Sequence, residues 1–327
     1  MAELVSVDDI RAAATRIAGR VVRTPLIPYA GGLPSTAAAG RAEHPLWLKP
    51  ESLQPTGAFK LRGAFNAILQ RLDDARAHGV VTHSSGNHAR AVAWVARELG
   101  LRATIVIPDA APAVKVDAVR ALGATVVLVD PAERDTRAFE LAAEHGYVMI
   151  PPYDDPAIVA GQGTIGLEIV ADLPSVSGVV VPVSGGGLIS GIATAIKALS
   201  PATRVIGVEP ELAADATESL RRGEIVSWTA EQTYGTIADG LRTTSVGQVP
   251  WGQIRQYVDD IITVSEDEIR DGVRWLAADA RLVAEPSGAT SFAAWRHRFE
   301  SLGVSGDVVA VVSGGNLAMD TLASLIG

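Results

Sequence analysis

Short runs of β-branched residues alternate along the chain with longer stretches in which apolar positions recur every third or fourth residue. The runs at 80–83, 103–107, 125–129, 147–150, 179–183, 204–208 and 308–312 are largely apolar rather than alternating. A strand without a polar face must be covered on both sides, and the helical stretches at 87–99, 133–144 and 188–199 lie between the strands to cover them. The pattern therefore predicts an α/β protein with open, mostly parallel sheets covered by helices. At the start of the chain, Ser6-Val-Asp-Asp9 has the form of a capping box. The helix it opens would carry Ile10, Ala14, Ile17 and Val21 on one face and end at Thr24-Pro25.

The stretch 78–150 contains a complete strand–helix series of its own and is closed by Pro151-Pro152. This suggests a contiguous insertion that forms a second, small and mobile domain. The expected division is 77–150 for that unit and 1–76 plus 151–327 for the large one. No internal repeat, low-complexity tract or long linker interrupts the series.

Composition narrows the function. A length of 327 residues fits two domains at roughly 150 residues each. Zero cysteines exclude disulfide frameworks, thiolate metal sites and a cysteine nucleophile. A net charge of −9 with no basic block offers no surface for phosphate backbones, so nucleic acid is not an expected partner. The uncharged stretch between Asp172 and Lys197 is long enough to span a membrane, but Pro174, Pro182 and a Ser-Gly cluster break it. The N-terminus opens with acidic residues, unlike a signal peptide. A cytoplasmic protein without membrane contact is expected.

Three segments repeat one grammar of strand, small polar turn and helix. They are Val80 to His88 with Ser84-Ser85-Gly86-Asn87-His88 at its turn, Val179 to Leu188 with Ser184-Gly185-Gly186-Gly187, and Val308 to Asn316 with Ser313-Gly314-Gly315. Ligands of parallel sheets bind beyond the carboxyl ends of strands, where such turns collect. The triple glycine suits an anion, because bare backbone approaches a phosphate closely and the following helix start offers free N–H groups. It is not a P-loop, since Leu188-Ile189-Ser190 follows instead of Gly-Lys-Ser/Thr. A dinucleotide site is a rival reading, with Glu209 placed to meet a ribose, although Ser190 occupies the third glycine position. Lys60 follows the Pro55-Thr56-Gly57 turn among apolar neighbours. A desolvated lysine has a lowered pKa and can act as an amine nucleophile.

Taken together, Pro55-Thr-Gly-Ala-Phe-Lys-Leu-Arg-Gly-Ala64, Ser84-Ser-Gly-Asn-His88, Ala160-Gly-Gln-Gly-Thr164, the 184–188 loop, Ala238-Asp-Gly240, Glu285-Pro286 and Ser313-Gly-Gly-Asn316 resemble the serine/threonine dehydratase and serine racemase family. These are pyridoxal-phosphate enzymes of fold type II, related in fold to the tryptophan synthase β-subunit. The resemblance covers nearly the whole chain in the family's order, and it implies a homodimer or higher homo-oligomer with the cofactor between a large and a small domain. It also implies that Lys60 carries pyridoxal 5'-phosphate as a Schiff base, with Phe59 packed against it. Asn87 would bond the ring oxygen, Ser184, Gly185, Gly186, Gly187 and Leu188 would hold the phosphate, and Ser313 would face the pyridine nitrogen. Ser84, Ser85, Gly86, Asn87 and His88 would bind the substrate carboxylate. A serine opposite the pyridine nitrogen makes a milder electron sink than a carboxylate, which suits β-elimination.

The implied reaction takes a small hydroxy amino acid, L-threonine or L-serine, to a 2-oxo acid and ammonia. Lys60 is displaced by the substrate amine, then removes the Cα proton while the β-hydroxyl leaves. In the racemase branch a serine matching Ser85 reprotonates the opposite face, so serine racemase is the nearest alternative. Dehydration of 3-hydroxyaspartate is another, since Arg90 stands where the family often has glutamine. An NAD-dependent oxidoreductase and a cofactor-binding protein without turnover remain as alternatives of other classes. Glu209, Ala213 and Asp215 resemble the family's divalent-cation site for Mg²⁺ or Ca²⁺, against the equally weighted alternative of an acidic helix start. The chain ends soon after Asn316, so the regulatory module of long biosynthetic threonine dehydratases is not expected.

Overall fold

The computed structural model describes residues 4–31 and 45–327, and every candidate site residue lies within them. Among the described residues the strands are β1 (Ile27–Tyr29), β2 (Leu46–Pro50), β3 (Val80–His83), β4 (Ala103–Pro108), β5 (Thr125–Val129), β6 (Val148–Met149), β7 (Val176–Pro182), β8 (Arg204–Pro210), β9 (Asp260–Val264) and β10 (Asp307–Val312). They form a six-stranded sheet of order β1-β2-β10-β7-β8-β9 and a four-stranded sheet of order β5-β4-β3-β6. All pairings are parallel except that of β1 with β2.

Two-sided burial explains the apolar runs of the central strands, whereas β5, at the edge of the four-stranded sheet, is only half-buried and exposes Leu128. In β10, Val308, Ala310 and Val312 pack with Phe292, Ala293 and Val273 on one side of the large sheet. Val309 and Val311 face the other side, against Ile165, Ile189, Ile192 and Ile196. Each fully buried Val or Ile contributes about 1.5–3 kcal/mol, so a charge in either row would be costly. The four-stranded sheet is covered by the helix Asn87–Leu99 on one face and the helix Arg134–His145 on the other. Its first core also takes Leu61, Phe65 and Ile68 from the helix Lys60–Gln70, together with Ile158. The helix that begins with Lys60 is thus part of the floor beneath the second sheet.

The capping box forms as expected, with Ser6 and Asp9 exchanging hydrogen bonds. The helix stops at Ile17 rather than at Thr24-Pro25, because Gly19 at φ 73° turns the chain out of the helix. Ile10, Ala13 and Ile17 are its buried face, so Ala13 takes the place expected for Ala14. Strands β1, β2 and β9 were not marked by the apolar pattern. The expected strand at 147–150 shortens to Val148–Met149.

Candidate active site

The carboxyl ends of β3, β7 and β10 carry the three polar turns, and the structure joins them through side chains distant in sequence. The Lys60 turn is stitched to the turn after β10 largely by backbone. Phe59 N–H donates to Ser313 O at 3.1 Å, Gly315 N–H donates to Gly57 O at 2.9 Å, and Ala58 bridges Gly314. Gly57 holds φ 74°, and a Cβ there would overlap the Asn316 amide. Ser313 is buried at the end of this stitch.

Lys60 stands apart from the other lysines. The chain has four, at 49, 60, 115 and 197. Three are ion-paired: Lys49 with Glu168 at 2.6 Å, Lys115 with Asp239 at 2.6 Å and Lys197 with Asp259 at 2.7 Å. Lys60 instead donates to the carbonyl of Pro152 at 2.7 Å and lies over the Phe59 ring at 5.0 Å. Desolvation without a compensating carboxylate lowers its pKa from 10.5 to about 8. The scarcity of lysine was a usable signal in the sequence; its lack of an ion partner was not.

From Pro152 the path leads to the glycine loop. The next residue, Tyr153, packs on Gly185, where a Cβ would overlap its ring, and on Gly187, where a Cβ would crowd the Cβ and backbone of Tyr153. Gly186 sits at φ 90° immediately before the helix Gly187–Leu199, a conformation that disfavours any residue with a Cβ. No side chain caps that helix, and none caps the helix that starts at Asn87. By contrast, Ser6, Asp155, Thr229 and Ser265 cap the starts of other helices. Uncapped N–H groups at both polar turns suit anions. Ser184, half-buried, turns its hydroxyl to Thr243 Oγ1 at 2.7 Å, while Gly185, Gly186, Gly187 and Leu188 are buried.

In the turn after β3, Ser84 and Ser85 are half-buried, and Ser84 Oγ accepts from Gly86 N–H at 3.2 Å. The His88 ring is buried, and its Nε2 donates to Ile150 O at 2.9 Å. Burial and the nearby Lys60 charge push its pKa down to about 3, so this imidazole is neutral and shapes the junction. Asn87 Nδ2 donates to Glu285 Oε1 at 2.6 Å, and Asn87 Oδ1 accepts from Asn316 Nδ2 at 2.8 Å. Burial, reinforced by Asp239, raises Glu285 to about 8. Arg90 reaches the same group, donating to Asn316 Oδ1 at 2.8 Å. Glu285 and Asn316 were legible only as motif members, with no sign that they meet Asn87.

Glu209 is fully buried, and its carboxylate accepts from Ala216 N–H, Thr217 N–H and Thr217 Oγ1 at 3.1, 2.7 and 2.7 Å. It is therefore engaged by the next helix and is not presented to a ribose. Both carboxylate oxygens of the buried Asp215 lack a hydrogen-bond partner, and Ala213 is buried beside this segment. Burial raises the pKa of both acids, and their mutual repulsion raises Glu209 further. Among the described residues no cluster of three or more His, Asp or Glu is arranged to hold a metal. No helix among them is long and apolar enough to cross a membrane.

Comparison with known proteins agrees with this geometry. Residues 17–314 match the family model described as "Pyridoxal-phosphate dependent enzyme". The chain is 40% identical over 327 residues to the catabolic L-threonine dehydratase TdcB of Escherichia coli (strain K12), covering 99% of this chain and 96% of that protein. It is also 40% identical to the L-threo-3-hydroxyaspartate ammonia-lyase of Saccharomyces cerevisiae, over 97% of this chain and 95% of the relative. Among solved structures, maize serine racemase superposes with a TM-score of 0.90 at 37% identity, covering 98% of this chain and 97% of the other.

Proposed function

The chain belongs to the pyridoxal-phosphate-dependent enzymes, and from that premise we propose that it is an ammonia-lyase that removes the β-hydroxyl and amino groups of L-threonine or L-serine. The observation that carries this reading is Lys60, the lysine among four that is desolvated without an ion partner. When bound, pyridoxal phosphate supplies the electron sink that stabilises negative charge at the substrate Cα. Phe59, Lys60, Asn87, Gly185, Gly186, Gly187 and Ser313 would hold it, the uncapped start at Gly187 meeting its phosphate. Ser184, with its hydroxyl against Thr243, and Leu188 would complete that loop.

The residues of the chain divide the remaining work. The uncapped start at Asn87, with Ser84 and Ser85, takes the substrate carboxylate. Lys60, with its pKa near 8, is poised to receive the Cα proton close to neutral pH. The four-stranded sheet, residues 77–150, would move against the remainder as the mobile domain, pivoting near Pro151-Pro152. Such closure would exclude water from the cleft.

A second reading has a specific observation behind it. The yeast 3-hydroxyaspartate ammonia-lyase matches at the same 40% identity as the threonine dehydratase, so an acidic hydroxy amino acid is the competing substrate; with the maize racemase as structural neighbour, serine racemisation is the third. The Glu209, Ala213 and Asp215 group is proposed as a Mg²⁺ or Ca²⁺ site. Its support is the pair of unpartnered Asp215 oxygens. A cytoplasmic homodimer or higher homo-oligomer completes the reading. The test is incubation of the loaded enzyme with L-threonine, L-serine and L-threo-3-hydroxyaspartate, scoring ammonia, 2-oxo acid and chirality together. Ammonia and 2-oxo acid from threonine or serine are expected. Lys60→Ala should lower turnover by roughly a thousandfold or more; 2-oxo acid formation retained in that variant would overturn the assignment.

A further inference from the structure

We propose that Arg90 and Asn316 are positioning residues that fix the direction of the Asn87 amide and so keep one of its N–H groups available to an acceptor in the cleft. This rests on the reading of Asn87 as a cofactor ligand. The side chains form an unbroken series: Arg90 Nη1 donates to Asn316 Oδ1 at 2.8 Å, Asn316 Nδ2 to Asn87 Oδ1 at 2.8 Å, and Asn87 Nδ2 to Glu285 Oε1 at 2.6 Å. Every link runs the same way, from a cation to a carboxyl group.

Two facing amides have two arrangements of opposite polarity, because each can present either its oxygen or its NH₂. The neighbours of Asn316 allow one. A guanidinium has donors only, so Arg90 requires the Asn316 oxygen. A backbone carbonyl only accepts, and Asn316 Nδ2 donates its other hydrogen to Thr56 O at 2.7 Å. Held from both ends, Asn316 must turn a hydrogen toward Asn87, which then turns its own NH₂ toward Glu285. Glu285 does not guarantee this direction by itself. Burial raises its pKa to about 8, so at neutral pH it carries a proton and can donate as well as accept. A glutamine at position 90 could accept or donate, and would leave Asn316 to Thr56 alone. The series also touches the Lys60 turn, since Thr56 and Gly57 contact Asn316 directly.

The test uses full-length protein loaded with pyridoxal phosphate, in wild-type, Asn316→Asp, Arg90→Leu and Arg90→Lys forms, with melting temperature as the check on folding. The readout is the ratio of the visible to the near-ultraviolet band of the bound cofactor, which responds to hydrogen bonding at its ring oxygen. Asn316→Asp keeps the acceptor for Arg90 but cannot donate, and is expected to lower the ratio by roughly tenfold, the effect of losing one strong hydrogen bond. Arg90→Leu should lower it less, and Arg90→Lys, still a pure donor, should restore it. Bands that are present and unmoved in both Asn316→Asp and Arg90→Leu overturn the inference alone. A rise in KM for 3-hydroxyaspartate in Arg90→Leu, with the ratio unchanged, also overturns it, because Arg90 would then read substrate. Wild-type protein with neither band overturns the reading of Lys60 and this inference with it.

Discussion

Lys60 and Arg62 lie two residues apart at the start of one helix, point to different surroundings, and show two ways of burying a cation. Arg62 is fully buried within a closed set of charges. Its Nε and Nη2 grip Glu51 at 2.8 Å each, its Nη1 meets Glu168 at 2.6 Å, and Lys49 binds Glu168 from the other side. Thr24 and Gln54 complete the shell around Glu51. Two cations and two carboxylates leave no net charge, and the neighbouring acids keep the Arg62 pKa above its ordinary value despite burial. Lys60 has a carbonyl and a ring for company, and its pKa falls. Burial alone does not separate a structural cation from a reactive one; charge compensation does.

The widest test of this contrast is Arg62→Leu. The substitution leaves Glu51 and Glu168 with Lys49 as their one cationic partner in the cluster, and it should destabilise the fold by about 3–5 kcal/mol, read as a lower urea midpoint. An unchanged midpoint would mean that the cluster is not the anchor of the helix that begins at Lys60.

The next test concerns pH. A lysine with its pKa lowered to about 8 loses its proton earlier than an ordinary one at 10.5. Since the neutral amine is the nucleophile, cofactor uptake by the apoprotein should accelerate with rising pH and level off above about 8. A rate that keeps climbing toward 10.5 would show that Lys60 is as solvated as a surface lysine. The smallest effect belongs to the edge of the cluster. Thr24→Val removes one hydroxyl donor from Glu51, which keeps Arg62 and Gln54, and should cost about 1 kcal/mol.

The same contrast explains what the sequence made legible. Strands β3, β4, β7, β8 and β10 were visible because two-sided burial writes itself as a largely apolar run, and β5 was visible by its β-branched composition although it lies half-buried at a sheet edge. Strand β2 was not, because it carries Lys49, a charge whose burial makes sense only once Glu168, far along the chain, is beside it. The short β9 is likewise hidden behind the pair Asp259-Asp260. Lys60, the serine turns and the glycine loop are local motifs and could be read directly. The contacts of Asn87 with Glu285 and Asn316, and of Tyr153 with the glycine loop, span distant segments and depend on how the two sheets meet. Some glycines serve packing, since a Cβ at Gly161 would strike the backbone of Gly63 where two helices touch.

The central claim is that Lys60, alone of the four lysines, is free to hold the cofactor. Borohydride reduction of the pyridoxal-phosphate-loaded protein, followed by peptide mapping, tests it most directly. The account predicts a bleached protein with the pyridoxyl group on Lys60 and none on Lys49, Lys115 or Lys197. A colourless starting protein, or the label on one of the three ion-paired lysines, would contradict it.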